Sequence, residues 1–168
     1  MVIQIVIHGR GGQGAVKAVQ LLALAASLEG KYSQAFPSFG IEREGAPVEA
    51  YCRISDKPII LRSHVDKADY AIILDSSLLK VKRIQAKTLI INSTNKKINK
   101  KACEFDATSL ALKIFGKPFV NTAMLAVFSC FTGIISRRAL IEACKESFSE
   151  GLFKKNLQAI EEVYKNLK

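Results

Sequence analysis

Apolar residues recur along this chain with two periods. Val2 to Ile7 is a nearly unbroken apolar run, the pattern of a strand buried on both faces. From Ala15 to Leu28, Val16, Val19, Leu22, Ala23 and Ala26 return at helical spacing, and Gly30 follows as a C′ residue. Phe36-Pro37-Ser38-Phe39-Gly40 interrupts regular structure. Val48, Ala50, Cys52 and Ile54 then alternate with Glu49, Tyr51 and Arg53, which predicts another strand. Ser55-Asp56-Lys57-Pro58 reads as a turn and Ile59-Ile60-Leu61 as a short partner strand. An antiparallel hairpin is therefore expected near residues 48–61.

Tyr70 to Leu74 and Thr88 to Ile91 read as buried strands. The first ends at Asp75-Ser76-Ser77, an N-cap region for a short helix, and the second at Asn92-Ser93. Asp106 or Thr108 can cap a helix that runs through Phe115 and is ended by Gly116-Lys117-Pro118. Further helices are expected over Thr122 to Ile134, Arg137 to Ser147 and Leu152 to Leu167. Strands alternating with helices give an α/β class. The expected architecture is a three-layer α/β/α single domain over residues 1–168, with a mostly parallel but mixed sheet and right-handed crossovers.

Length and composition agree with one domain: 168 residues, 49% of them hydrophobic, can bury a substantial core. Met1-Val2-Ile3-Gln4 leads straight into a strand, with no basic leader and no cleavage site. The longest apolar stretch, Val120 to Ile135, contains Asn121, Thr122, Ser129 and Thr132. A membrane span needs about 20 predominantly apolar residues, so this stretch reads as a buried helix and the protein as soluble and cytoplasmic. Cys52, Cys103, Cys130 and Cys144 show no Cys-x-x-Cys spacing, and only His8 and His64 could join them. No metal site is expected; buried free thiols in a reducing compartment are. The net charge of +10, concentrated in part at Lys96, Lys97, Lys100 and Lys101, suits an anionic ligand or an acidic partner. No nucleic-acid recognition motif accompanies it.

The chemistry concentrates in His8-Gly9-Arg10-Gly11-Gly12-Gln13-Gly14, between the first strand and the first helix. Glycine reaches backbone angles closed to other residues and leaves room for a ligand. Amides at a helix N-terminus favour anions, so the segment has the form of a phosphate or pyrophosphate cradle. Gly9, Gly11 and Gly14 fit Gly-x-Gly-x-x-Gly, but a dinucleotide site also wants an acid about 20 residues on to hold a ribose. Glu29 and Glu42 are in the wrong settings for that. The alternative is a tight turn that packs helix on strand. A second concentration runs from Phe36 to Val48, where aromatic, turn-forming and adjacent opposite charges share one loop. Such loops form contact surfaces, although an ordinary solvated connection has the same composition. His8 closes a buried strand and reads as a packed or hydrogen-bonded histidine. No Ser-His-Asp or Cys-His arrangement is visible, and no catalytic residue is assigned.

Gly9-Arg10-Gly11-Gly12-Gln13-Gly14, the Phe36 to Val48 loop and Ala50-Tyr51-Cys52-Arg53-Ile54-Ser55 together resemble the gamma subunits of 2-oxoacid:ferredoxin oxidoreductases. The loop is most similar to that of pyruvate:ferredoxin oxidoreductase, or pyruvate synthase. Asp106-Ala107-Thr108, Val120-Asn121-Thr122-Ala123-Met124-Leu125, Thr132-Gly133, Asn156 and Tyr164 extend the resemblance over the whole chain. Where that family often has Gly-Pro-Glu-Arg-Arg-Gly-Ala, this chain has Gly40-Ile41-Glu42-Arg43-Glu44-Gly45-Ala46, so Glu44 replaces a basic residue.

The resemblance implies a subunit of an enzyme that converts pyruvate, coenzyme A and oxidised ferredoxin to acetyl-CoA, CO2 and reduced ferredoxin. It implies alpha, beta and delta partners, with ferredoxin met through the complex. Thiamine diphosphate, magnesium and iron–sulfur clusters are expected on those partners rather than on this chain. Coenzyme A is the one cofactor that the chain is expected to touch, through the amides of Gly11, Gly12, Gln13 and Gly14 with Arg10 or Arg43. Subunit contacts are expected at Phe36, Pro37, Phe39, Glu42, Arg43 and Asn121. A gamma subunit serving 2-ketoisovalerate or 2-oxoglutarate, or a free-standing nucleotide-binding regulator, are the alternatives. Nucleic acid and membrane are not expected partners.

Overall fold

Val2–Arg10 forms the first strand, β1, three residues longer than the apolar run that predicts it, and Ala15–Leu28 the first helix, α1, with the expected bounds. The computed structural model describes residues 1–37, 45–61, 65, 67–81, 84–95, 98–99 and 101–167. The chain continues through β2 (Tyr32–Pro37), β3 (Pro47–Ser55), β4 (Ala68–Ile73), α2 (Leu78–Val81), β5 (Ala86–Asn92), β6 (Ile98–Asn99) and β7 (Ala102–Phe105). It ends in α3 (Ala107–Phe115), α4 (Asn121–Thr132), α5 (Arg137–Ser147) and α6 (Glu150–Asn166). The strands make one sheet in the order β2-β3-β1-β4-β5-β7-β6.

The α/β class and the mixed sheet are as expected, and the register explains the mixture. β1, β4, β5 and β7 run parallel, with Ile7 opposite Ile72, Ile72 opposite Ile90, and Ile90 opposite Cys103. β3 is antiparallel to β1 (Ile5 opposite Cys52) and to β2 (Ala35 opposite Cys52), and β6 is antiparallel to β7. Among the described residues antiparallel pairings are therefore as numerous as parallel ones, rather than a single addition to a parallel sheet.

The hairpin expected near residues 48–61 does not form. Both edges of β3 are taken, one by β1 and one by β2, so no ladder edge remains for Ile59-Ile60-Leu61. That segment is instead held by side chains of β2 and β3. The buried Arg53 donates from Nη1 to the Leu61 carbonyl (3.2 Å), and Gln34 donates from Nε2 to the Ile59 carbonyl (3.2 Å). The true partner, β2, ends in Pro37, which an edge strand tolerates because its outer N–H needs no mate.

The two faces of the sheet are covered unequally. One carries Ile5, Ile7, Cys52, Ile72 and Ile90 and packs against α1, α3, α4, α5 and α6 in the main core. The opposite face carries Val6, Tyr51, Ala71, Ile73 and Ile91, with Val65 and Ile84 from the connections packed on it. The expected third layer is thus thin: among the described residues, the helices of nine residues or more all pack in the main core. Among the described residues no helix is long and apolar enough to cross a membrane; the apolar α4 lies inside the core, as its polar interruptions suggested.

Helix ends follow their capping chemistry. Asp106, not Thr108, caps α3 by accepting from the Ser109 amide (2.9 Å). α4 stops at Thr132 because Gly133 takes the left-handed conformation at φ 66°. Ser136 caps α5 by accepting from the Ala139 amide (3.1 Å). Ser136→Ala is expected to lower stability by about 1 kcal/mol, read as a shift of the urea midpoint at unchanged slope.

Candidate functional site

The glycine turn joins β1 to α1, and most of its hydrogen bonds go inward. The Gly11 amide donates to the Ala46 carbonyl (2.8 Å), the Gln13 amide to the Arg10 carbonyl (3.0 Å), and the Gly45 amide to the Gly11 carbonyl (3.4 Å). Two of the four amides expected to receive a phosphate are therefore occupied. Those of Gly12 and Gly14 have no acceptor among the described residues. Gly12 and Gly14 lie in the left-handed region, at φ 91° and 78°. Gly14 is the N-cap of α1 and has no side chain to cap it, so amides of the first turn remain available for an anion. Fewer amides of the turn are thus left for an anion than the motif suggests.

The Arg10 guanidinium is engaged within the chain. Its Nε donates to Asp75 Oδ2 (2.9 Å), Nη1 to the Gly45 carbonyl (3.1 Å) and Nη2 to the Ser77 hydroxyl (2.8 Å). The Arg10 amide donates to Gln13 Oε1 (2.7 Å), and the Gln13 Nε2 amide nitrogen has no acceptor among the described residues. Asn121 packs within the chain: a Cβ on Gly14 would lie 2.7 Å from Asn121 Nδ2, while Asn121 Oδ1 accepts from the Thr122 amide (3.0 Å). Phe36 stacks on Tyr51 at 5.5 Å between ring centroids and lies under the Arg53 guanidinium at 5.0 Å, with Pro37 half-buried beside it. Phe39, Glu42 and Arg43, expected contact residues, lie outside the described residues, as does Glu44. His8 is buried, with Nδ1 3.4 Å from Glu49 Oε1 across the β1–β3 pair.

Beside the turn, a crevice of about 430 Å³ opens at the carboxyl ends of the parallel strands, the usual ligand position in open α/β sheets. Gln13, Asp75, Ser76, Asn92, Asp106 and Thr108 are among the residues that line it. Asn92 is the organising residue. Its Nδ2 donates to the Leu74 carbonyl (2.8 Å) and the Thr108 hydroxyl (2.9 Å), while its Oδ1 accepts from the Ala107 and Thr108 amides (3.0 and 3.3 Å). One side chain thus ties the end of β4, the end of β5 and the start of α3 together. The sequence reading missed this constellation. The signal was there: Asp75, Asn92 and Asp106 are the polar residues that follow or close three apolar strands.

Asp75 and Asp106 make the crevice locally acidic in a basic chain. Burial would raise the Asp75 carboxyl, but the Ser77 hydrogen bonds and then the Arg10 guanidinium outweigh it and hold the group below its ordinary value. No Lys or Arg is among the described lining residues. A phosphate about 5 Å from the Asp106 carboxylate would be opposed by about 3 kcal/mol at an effective dielectric constant near 20. The electrostatics therefore favour an anion at the Gly12 and Gly14 amides over one in the crevice, whose walls suit uncharged hydrogen-bonding groups. Three of the thiols are poor nucleophiles: burial pushes Cys52 and Cys144 up to about 12 and Cys103 up to about 11.

This arrangement belongs to a known lineage. Residues 4–166 match the family described as pyruvate ferredoxin/flavodoxin oxidoreductase. The chain belongs to that family. Within it, the pyruvate/ketoisovalerate oxidoreductases common subunit gamma of Thermococcus litoralis is 44% identical, over 96% of this chain and 95% of its own length. Pyruvate synthase subunit PorC of Methanothermobacter marburgensis is also 44% identical, over 99% and 98%. The crystal structure of pyruvate oxidoreductase subunit PORC from Thermotoga maritima superposes with a TM-score of 0.82 at 32% identity, covering 98% of this chain and 96% of that one. A 2-oxoglutarate:ferredoxin oxidoreductase chain from Magnetococcus marinus shares the fold at TM-score 0.75 and 19% identity; 99% of this chain corresponds to 32% of that longer one.

Two measurements check the geometry of this family site. Gly14→Ala forces a left-handed alanine against Asn121 and is expected to cost about 2 kcal/mol; adding Asn121→Ala should recover the steric part of that loss in urea unfolding. The lowered Asp75 carboxyl contributes stability that is present above the ordinary aspartate value and lost as pH falls through the lower folded value. Asp75→Asn should accordingly flatten the stability curve below about pH 4 and leave it parallel to wild type at neutral pH.

Proposed function

We propose that this chain is the gamma subunit of a cytoplasmic, multi-subunit pyruvate:ferredoxin oxidoreductase. The assembly converts pyruvate, coenzyme A and oxidised ferredoxin to acetyl-CoA, CO2 and reduced ferredoxin, with alpha, beta and delta chains as partners. The observation that carries this reading is the end-to-end likeness to subunits of that enzyme at 44% identity. The site agrees with a supporting role: it offers an anion cradle and a polar crevice rather than a nucleophile paired with a base. Thiamine diphosphate, magnesium and iron–sulfur clusters, which supply carbanion and electron-transfer chemistry when bound, are assigned to the partner chains.

Coenzyme A fits what this chain presents. The amides of Gly12, Gly14 and the first turn of α1 suit a phosphate group. The crevice, with carboxylates and hydroxyls on its walls, suits the amide- and hydroxyl-bearing portion. The chain's own contribution is to bind and orient the acyl acceptor and to complete the assembly.

A second reading concerns breadth. The Thermococcus litoralis relative is named as common to pyruvate and ketoisovalerate oxidoreductases. A subunit that holds the acyl acceptor, and not the 2-oxoacid, can serve both.

The test is affinity purification of the tagged full chain from its own cells. Three dissimilar chains should come with it, and the preparation should reduce ferredoxin only with pyruvate and coenzyme A together. Reconstitution without this chain should abolish turnover. Recovery of the chain alone, or full activity in its absence, would sink the reading. Copies isolated with two different sets of partners would favour the shared-subunit version.

A further inference from the structure

Arg10 occupies an unusual position for an arginine beside an anion cradle. Each of its guanidinium nitrogens donates within the chain, to Asp75, to Gly45 and to Ser77. Three separate segments meet there. Asp75 and Ser77 belong to the connection from β4 to α2, and Asp75 and Ser76 form a wall of the crevice. Gly45 belongs to the connection from β2 to β3, next to Ala46, whose carbonyl accepts from the Gly11 amide. The third segment is the glycine turn, where the Arg10 amide fixes the Gln13 side chain.

We propose that Arg10 is a positioning residue: its guanidinium clamps the Asp75–Ser77 wall of the crevice and the Gly45 end of the β2–β3 connection to the glycine turn, without itself contacting the ligand's phosphates. The rigid plane of the guanidinium makes this possible, because its donors point in fixed directions that a lysine ammonium cannot reproduce. The carboxylate and hydroxyl it holds are also held to each other through the Ser77 amide, which donates to Asp75 Oδ1 (2.9 Å). The wall is thus one hydrogen-bonded unit with Arg10 at its hinge with β1. The cation's charge is spent on Asp75, which explains why a crevice next to an arginine still presents acid.

The proposal rests on the gamma-subunit reading for its ligand, and its test separates the two. In the reconstituted complex, Arg10→Lys should raise KM for coenzyme A about tenfold with kcat little changed. The same factor should appear with pantetheine, which has no phosphate. Asp75→Asn should give a similar rise, and the double variant should add little beyond either single change. A penalty that appears with coenzyme A and vanishes with pantetheine would make Arg10 a phosphate contact and overturn the proposal; so would unchanged KM for both.

A second readout needs no partner. Amide hydrogen exchange in the full chain should quicken at Gly11 and Ser77 in Arg10→Lys, while the amides of α5 and α6 keep their wild-type rates. Unaltered exchange at Gly11 and Ser77 would overturn the clamp even if the assembly behaves as proposed. Quickened exchange in a chain that proves to have no sister subunits would leave the clamp standing and remove the gamma-subunit reading alone.

Discussion

The site depends on β1 having no freedom at its end. The strand is paired along both edges, to β3 and to β4, and Ile5 and Ile7 are fully buried beneath α1 and its neighbours. Each such side chain contributes about 1.5–3 kcal/mol by leaving water. The Leu74 amide donates to the His8 carbonyl (2.8 Å), which extends the β1–β4 ladder into the edge of the site. A turn that begins at residue 10 is therefore launched from a fixed point. The position of Gly12, Gly14 and Arg10 follows from that anchoring more than from any property of the turn itself.

Much of the local structure was legible in the residues. The helix over Ala15–Leu28 and the strand from Val2 are stated by their periodicity, and Asp106 is a cap by chemistry. The part that was not legible was tertiary. Whether Val48–Ile54 pairs with the segment after it or the segment before it depends on which edges are already filled, and periodicity carries no record of that. β2 was hidden because Phe36-Pro37 looks like a break, although an edge strand accepts proline. The crevice was hidden for a related reason. Asp75, Asn92 and Asp106 are far apart in sequence, and only the side-by-side ends of parallel strands bring them together.

Net charge proved a poor guide to local sign. The chain carries +10, yet the crevice shows two carboxylates and Arg10 is neutralised by one of them. The glycine turn shows the same discipline at the backbone level. Its motif advertises four amides, and two of them satisfy carbonyls of the protein itself. The gap between motif and site is hydrogen-bond accounting: a buried donor is first claimed by its own chain.

The placement of β1 also bears on how the molecule comes into being. Its two mates, β3 and β4, both lie downstream, so the β3 edge of the first strand cannot close before Ser55 exists, nor the β4 edge before Ile73. The β2–β3 ribbon is local by comparison, and closing the larger loops carries an entropic penalty that grows only slowly with length. During synthesis the amino-terminal segment, with its exposed isoleucines, must wait for a sheet that later residues build around it. A strand paired on both edges in the finished protein is thus bare on both in the nascent chain, until first Pro47–Ser55 and then Ala68–Ile73 have emerged.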